Sequence, residues 1–529
     1  LSRIGGFGGK ADALNHFNVF KSDPDLINTE INHYMAVRQE DILRVRESVL
    51  DHRQVRLKVL PEASLAFATT GIDRSIMPAP AREPSFLPPV PQRRTLPNGM
   101  GIAVVEKRDL PIVAFALLFQ TGTTSDPQDL PGLASMTTQL MAEGTETRTS
   151  QEIALGFEFV GARLSSETRR ECIIFSSETL TRHWGTALDL MADVVLHPTF
   201  PEHELERVRR EHLTDLRRAN DDATYIAERV MPGLIYGRDS SYGHPAHGTI
   251  ESVTALTQAD LKRQYLAHFG PSAATLIVSG DVGLDEVMEK AMAAFGNWDH
   301  PLPGRAAELD SAAEAPAGPT TIYLVDKPGA AQSVIRAGHT TVPRNHPDYF
   351  NLVLLNYAFG GQFSARLNQN LRQDKGYSYG FNSSISWYRQ PSLLVAGGSV
   401  QTAVTRESVV ETLKEFREVH GSRPISDAEL TGARDGFSRG YPAGFERPAQ
   451  VLSQVIQLVV HGLPDNYFQT VSRELAGIAL EQVRQTAVAR VHSDALTVLV
   501  VGDRQLVEPG LRQLGLPVVV LDSDGEPIG

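Results

Sequence analysis

Two short stretches of this chain gather polar side chains at spacings that matter for chemistry: PGLASMTTQLMAEGT, residues 131–145, and RQDKGYSY, residues 372–379. A helix over the first sets Ser135, Thr138 and Gln139 on one face, because residues three and four apart are neighbours there. Two hydroxyls and an amide are not competent zinc ligands at neutral pH. In the second stretch Arg372 and Tyr379 stand seven apart, with Gly376 marking the end of a helix between them. Spacing alone reads this pair as a surface arginine and a strand tyrosine packed on a sheet, and Tyr377 competes with Tyr379 for any functional tyrosine role. Other arrangements fail on their details. HELER (203–207) opens like H-E-x-x-H, but Arg207 takes the second histidine position. His244 and His247 in YGHPAHG are three apart, yet the proline and glycines around them predict a loop rather than a metal helix. In GGFGGKAD (5–12), Lys10 is followed by Ala11 where a phosphate loop needs Ser or Thr, and the reading is a flexible interdomain segment.

The elements that must carry these residues repeat. AVRQEDILRVRESVLDHRQVRLKVLPE (36–62), ALTQADLKRQYLAHFGPSAATLIVSGD (255–281) and GIALEQVRQTAVARVHSDALTVLVVGD (477–503) align without a gap. Each predicts a charged amphipathic helix, a polar turn and an apolar strand ending in an acidic residue. Upstream of the second copy come strands in GIAVVEKRD and IVAFALLFQTG, helices near 132–143 and 150–161, and strands in ARLSSETR and CIIFSSETL. Upstream of the third come strands in TIYLVDK and QSVIRAGHT, then a helix with the stripe Phe350, Val353, Leu354 and Tyr357. A second helix (363–375) and the strands YGFNSSISW and SLLVAGGSV follow. Strand pairs separated by helix pairs predict an α+β fold of repeated α/β-roll units, each an antiparallel-rich sheet covered on one face by helices. The boundaries follow: a remnant of a preceding unit over 1–64, a proline-rich linker over 65–92 within a proline-dense run to 98, a domain over 93–298, a linker over 299–319 and a domain over 320–529.

The totals agree with a globular protein of several domains. The chain has 529 residues, 41% hydrophobic and 21% charged, and a net charge of -13, which excludes a phosphate-backbone binder and hence a nucleic-acid partner. No run of about 18 apolar residues predicts a membrane span. Cys172 alone excludes a disulfide framework and a cysteine-rich zinc site. Leu1, without a methionine and close to a glycine cluster, reads as a cut inside a longer protein, with any export signal upstream.

GLASMTTQLMAEGT, LDLMADVVLHPTFPEHELERVRRE, FGGQFSARLNQNLRQDKGYSYG and the GD strand ends at 280–281 and 502–503 resemble the pitrilysin/insulinase family of zinc metallopeptidases, to which mitochondrial processing peptidase belongs. The resemblance covers essentially the whole chain. It implies α/β units in pairs, two pairs facing each other as a clamshell around a closed chamber, with residues 86–529 as the second half and residues 1–62 as the tail of the first. The family's active half carries H-x-x-E-H; here Ser135 and Gln139 replace the histidines and Thr138 the glutamate, while Asp215 falls near the expected third ligand. The resemblance thus implies a degenerate site without metal in this chain, and zinc on a missing N-terminal half or a partner subunit. It also implies that Arg372 and Tyr379 form the family's R-x-x-x-x-x-x-Y pair, which contacts a peptide or unfolded polypeptide substrate at that zinc. The rival expectations are a non-catalytic structural or interaction subunit of the same fold, and a peptide-binding homodimer.

Overall fold

The computed structural model describes residues 9–49, 86–302 and 318–528. The chain divides into two compact units, 1–86 and 87–529. In the first, α1 (Gly9–Lys21), α2 (Leu26–Met35) and α3 (Gln39–Val49) follow one another. Residues 9–12 therefore open a helix instead of a flexible segment; Asp12 in its first turn and Lys21 in its last both favour the helix dipole.

The second unit holds two modules. The first runs β1 (Gln92–Thr95), β2 (Gly101–Glu106), β3 (Ile112–Phe119), α4 (Leu133–Met141), α5 (Ser150–Phe159), β4 (Ser165–Thr168) and β5 (Ile173–Leu180). It continues with α6 (Trp184–Leu196), α7 (Glu202–Ala219), α8 (Ala223–Tyr236), α9 (Ile250–Ala255), α10 (Gln258–His268), β6 (Ala274–Gly280) and α11 (Leu284–Phe295). The second runs β7 (Thr321–Asp326), β8 (Gln332–Thr341), α12 (Tyr349–Asn356), α13 (Arg366–Asn368), β9 (Ser378–Ser386) and β10 (Ser392–Gln401). It ends with α14 (Thr405–Val419), α15 (Asp427–Gly440), α16 (Pro448–His461), α17 (Tyr467–Gly477), α18 (Leu480–Arg490), β11 (Thr497–Gly502), α19 (Arg504–Arg512) and β12 (Val518–Leu521).

Each module builds a six-stranded mixed sheet, in the orders β1-β2-β6-β3-β5-β4 and β12-β7-β11-β8-β10-β9. The late strand of each repeat inserts in the interior, parallel to one neighbour and antiparallel to the other: β6 between β2 and β3, β11 between β7 and β8. The outermost strands come from opposite ends of the unit. β1 pairs antiparallel with β2, and β12 pairs parallel with β7. β1 begins where the sequence reads the end of a proline-rich linker. It is a four-residue edge strand of polar residues, so no apolar period announces it.

The expectation of helices on one face of each sheet is incomplete. Along β3 every residue is buried. Val113, Phe115, Leu117 and Phe119 face the module's own helices, while Ala114, Ala116 and Leu118 join Val105, Ile174 and Ile277 beneath Val451, Val455 and Val459 of α16, a helix of the other module. The exchange is mutual. Ile226, Ala227, Val230 and Met231 of α8 pack on Val334, Leu499 and Val501 of the second sheet. A strand buried on both faces reads as a continuous apolar run, and IVAFALLF is one. Cys172 is buried in the same apolar cluster, and burial pushes its thiol up to about 12, so it stays protonated.

The helical part of the threefold repeat is in register. α3, α10 and α18 begin at the aligned positions Gln39, Gln258 and Leu480. In each, the third helical residue reaches back to the N–H before the helix: Asp41 to Arg38 (3.2 Å), Asp260 to Thr257 (2.8 Å) and Gln482 to Ala479 (2.6 Å). The strand of the first copy lies outside the described residues.

Candidate functional site

Helix α4 starts where Asp126 accepts hydrogen bonds from the N–H groups of Gly132 (2.8 Å) and Ala134 (2.7 Å). Gly132 has φ +90°, and a Cβ there would lie 2.8 Å from the backbone of Gly248, so the helix start and the loop 242–248 fit only through glycine. Ser135, Thr138 and Gln139 do share one face. They line a cleft of about 440 Å³ with His212 and Asp215 of α7 and with His247. The sequence reading missed His212 and Tyr225 as cleft residues, because nothing in local spacing joins them to α4.

The cleft does not fit zinc. Ser135 Oγ donates to the carbonyl of Ala246 (2.9 Å) and Thr138 Oγ1 to the carbonyl of Ala134 (2.8 Å). His212 Nε2 donates to the carbonyl of His247 (2.8 Å), so that nitrogen carries its proton and cannot ligate. Two successive carbonyls of one loop thus tie together the helices that a shared ion would otherwise bridge. Among the described residues no group of three His, Cys, Asp or Glu side chains is placed to hold a metal. His244 is buried, with both ring nitrogens unpartnered among the described residues; burial, with Arg170 nearby, lowers its pKa and keeps the ring neutral. His247 lies on the cleft wall instead, so the two loop histidines do not act together.

The equivalent edge of the second module carries Arg372 and Tyr379. The helix expected over 363–375 starts at Arg366; α13 continues as a π-turn, Gln369–Asp374, and a second π-turn, Tyr357–Gly361, precedes it. Gly376, at φ +65°, ends the segment by donating its N–H to the carbonyl of Arg372 (3.1 Å). β9 then runs along the sheet edge. Ser378 pairs with Val400 and Phe381 with Gly398, so Tyr379 and Gly380 together oppose Ser399 in a bulge. The bulge turns Tyr379 outward: it is 89% exposed, whereas Tyr377 is half-buried.

Arg372 is held from behind. Arg366, buried, forks onto Glu429 (2.7 Å for Nη2 to Oε2) and donates to the carbonyls of Arg423 and Pro424. Asn370 donates to Glu411 (3.0 Å) and Glu415 (2.9 Å). Burial pushes the Glu429 carboxyl up, but Arg366 and the Ser426 N-cap outweigh it and hold it at about 2. Glu429→Gln leaves the Arg366 guanidinium buried without its counter-charge and costs about 3 kcal/mol of stability, read from urea unfolding. Because the folded carboxyl titrates lower than the unfolded one, its contribution is complete above about pH 4.5 and fades toward about pH 2, so the gap between wild type and variant narrows over that window.

One string the sequence reading overlooked, GFSRG (436–440), has G-x-S-x-G spacing. It lies within α15, away from any strand-to-helix turn, and is no nucleophile elbow.

Profiles of one peptidase family match two stretches: "Insulinase (Peptidase family M16)" over residues 102–235 and "Peptidase M16 inactive domain" over residues 255–437. An uncharacterised zinc protease of Bacillus subtilis (strain 168), YmxG, is 26% identical over 344 residues, 65% of this chain and 82% of that protein. The crystal structure of a peptidase M16 inactive domain from Pseudomonas fluorescens superposes with a TM-score of 0.73 at 22% identity, covering 78% of this chain and 98% of that one. A chain of complex III2 from Candida albicans gives 0.66 at 16% identity, covering 80% and 99%.

Proposed function

This chain belongs to the insulinase family of peptidases, family M16, and on that premise we propose that it is the zinc-free half of a zinc metalloendopeptidase. Its substrates are peptides or unfolded polypeptides small enough to be enclosed between this half and an H-x-x-E-H half outside the described chain, where zinc belongs. Arg372 and Tyr379 donate hydrogen bonds to a substrate carbonyl oxygen as it gains negative charge. Such donors are effective when fixed before the reaction.

The observation that carries this reading is the contrast between scaffold and tip. Arg366 and Asn370 lock the segment beneath Arg372, while Tyr379 projects into solvent from a bulge. Among the described residues, neither the Arg372 guanidinium nor the Tyr379 hydroxyl is spent on an ion pair or hydrogen bond. The test begins with the purified chain alone. It hydrolyses no peptide and carries far less than one zinc per chain by metal analysis, and adding the H-x-x-E-H half restores hydrolysis. One tightly held zinc per isolated chain would sink the proposal.

A non-catalytic structural subunit is the second reading. The degenerate cleft of the first module and the shared fold with the complex III2 chain favour it. The Tyr379 substitution separates the two.

A further inference from the structure

Resting on that reading, we propose that Phe363 is a positioning residue for Arg372. The Arg372 guanidinium carbon lies 4.3 Å from the centre of the Phe363 ring, the only aromatic face stacked on it among the described residues. Phe363 is itself 62% exposed, so the guanidinium and the ring meet at the surface rather than in the core. A guanidinium lying on a ring loses solvent from one face and keeps its in-plane N–H groups free. Those N–H groups are the ones a carbonyl oxygen uses.

The ring is referenced to the same frame as Tyr379. Asn368, buried, donates from Nδ2 to the carbonyl of Phe363 (2.6 Å) and accepts at Oδ1 from the N–H of Phe381 (3.3 Å), two residues beyond Tyr379. One amide therefore fixes the loop under the guanidinium and the strand bearing the phenol. Phe363 restricts the orientation of Arg372 and leaves its in-plane N–H groups open to a substrate carbonyl oxygen.

Two measurements test this. In the isolated chain, phenylglyoxal labelling of Arg372 followed by mass spectrometry rises several-fold in Phe363→Leu relative to the exposed Arg108, and stays at the wild-type level in Phe363→Tyr. In the assembled peptidase, Phe363→Leu lowers kcat about three- to tenfold with little change in KM, Phe363→Tyr restores it, and the Leu substitution has no further effect once Arg372 is Ala. Unchanged labelling in Phe363→Leu overturns the inference, as does unchanged kcat in an assembly where Arg372→Ala is impaired. If Arg372→Ala itself turns over normally, the catalytic reading beneath the inference fails, and the labelling result still reports separately on the stacking.

Discussion

Tyr379→Phe lowers kcat of the assembled peptidase by about 10²–10³-fold, the loss expected when one pre-positioned donor to a developing oxyanion is removed. KM changes little, since the hydrogen bond strengthens only as the carbonyl oxygen gains charge. Folding is untouched: the side chain is 89% exposed, and among the described residues its hydroxyl makes no hydrogen bond, so nothing in the core feels its loss. Circular dichroism and unfolding curves of the isolated chain therefore superimpose on wild type. Tyr377→Phe serves as the comparison, because Tyr377 is half-buried and is the rival for the tyrosine role; on this reading it retains turnover. A structural subunit gives the opposite pattern, with Tyr379→Phe indistinguishable from wild type in every assay.

The second large effect concerns the fold. Val455→Asp, in the middle of α16, unfolds both modules together in a single cooperative transition, with a loss of ~4 kcal/mol or more. Val455 is buried in the cluster that also contains Ala114, Ala116 and Ile277 of the first sheet, so the introduced carboxylate has no water and no counter-ion. Through α16 the damage falls on the first module; through the loosened α8, whose Arg229 and Tyr236 bond to the carbonyls of Ser523 and Pro391, it returns to the second. Limited proteolysis reads the outcome directly. Cleavage appears in both modules at once, whereas a locally confined lesion would leave one module resistant.

The sequence made the repeat legible because apolar periodicity survives even where identity does not: the helix starts at 39, 258 and 480 agree to the residue. It also located the helix–strand turn at Gly376 and the shared face of Ser135, Thr138 and Gln139, since both depend on spacing within one element. What it left out depends on contacts between distant segments. β1 and the exchange of α8 and α16 need the partner sheets to be in place. The clasp of Ser135 on Ala246 joins residues 111 apart, and the stacking of Phe363 on Arg372 depends on a loop conformation rather than a period. The bulge that turns Tyr379 outward is a one-residue mismatch between strands, invisible until the strands are paired.

The loop clasp sets what rebuilding a metal centre in the first module would require. A histidine restored at position 135 would drive its ring into the Ala246 carbonyl, now 2.9 Å from a serine oxygen, and His212 would still be spent on the neighbouring carbonyl. Installing ligands at the three helix positions alone therefore leaves the Ala246 and His247 carbonyls competing for the same space, and a metal centre here would need the loop displaced as well.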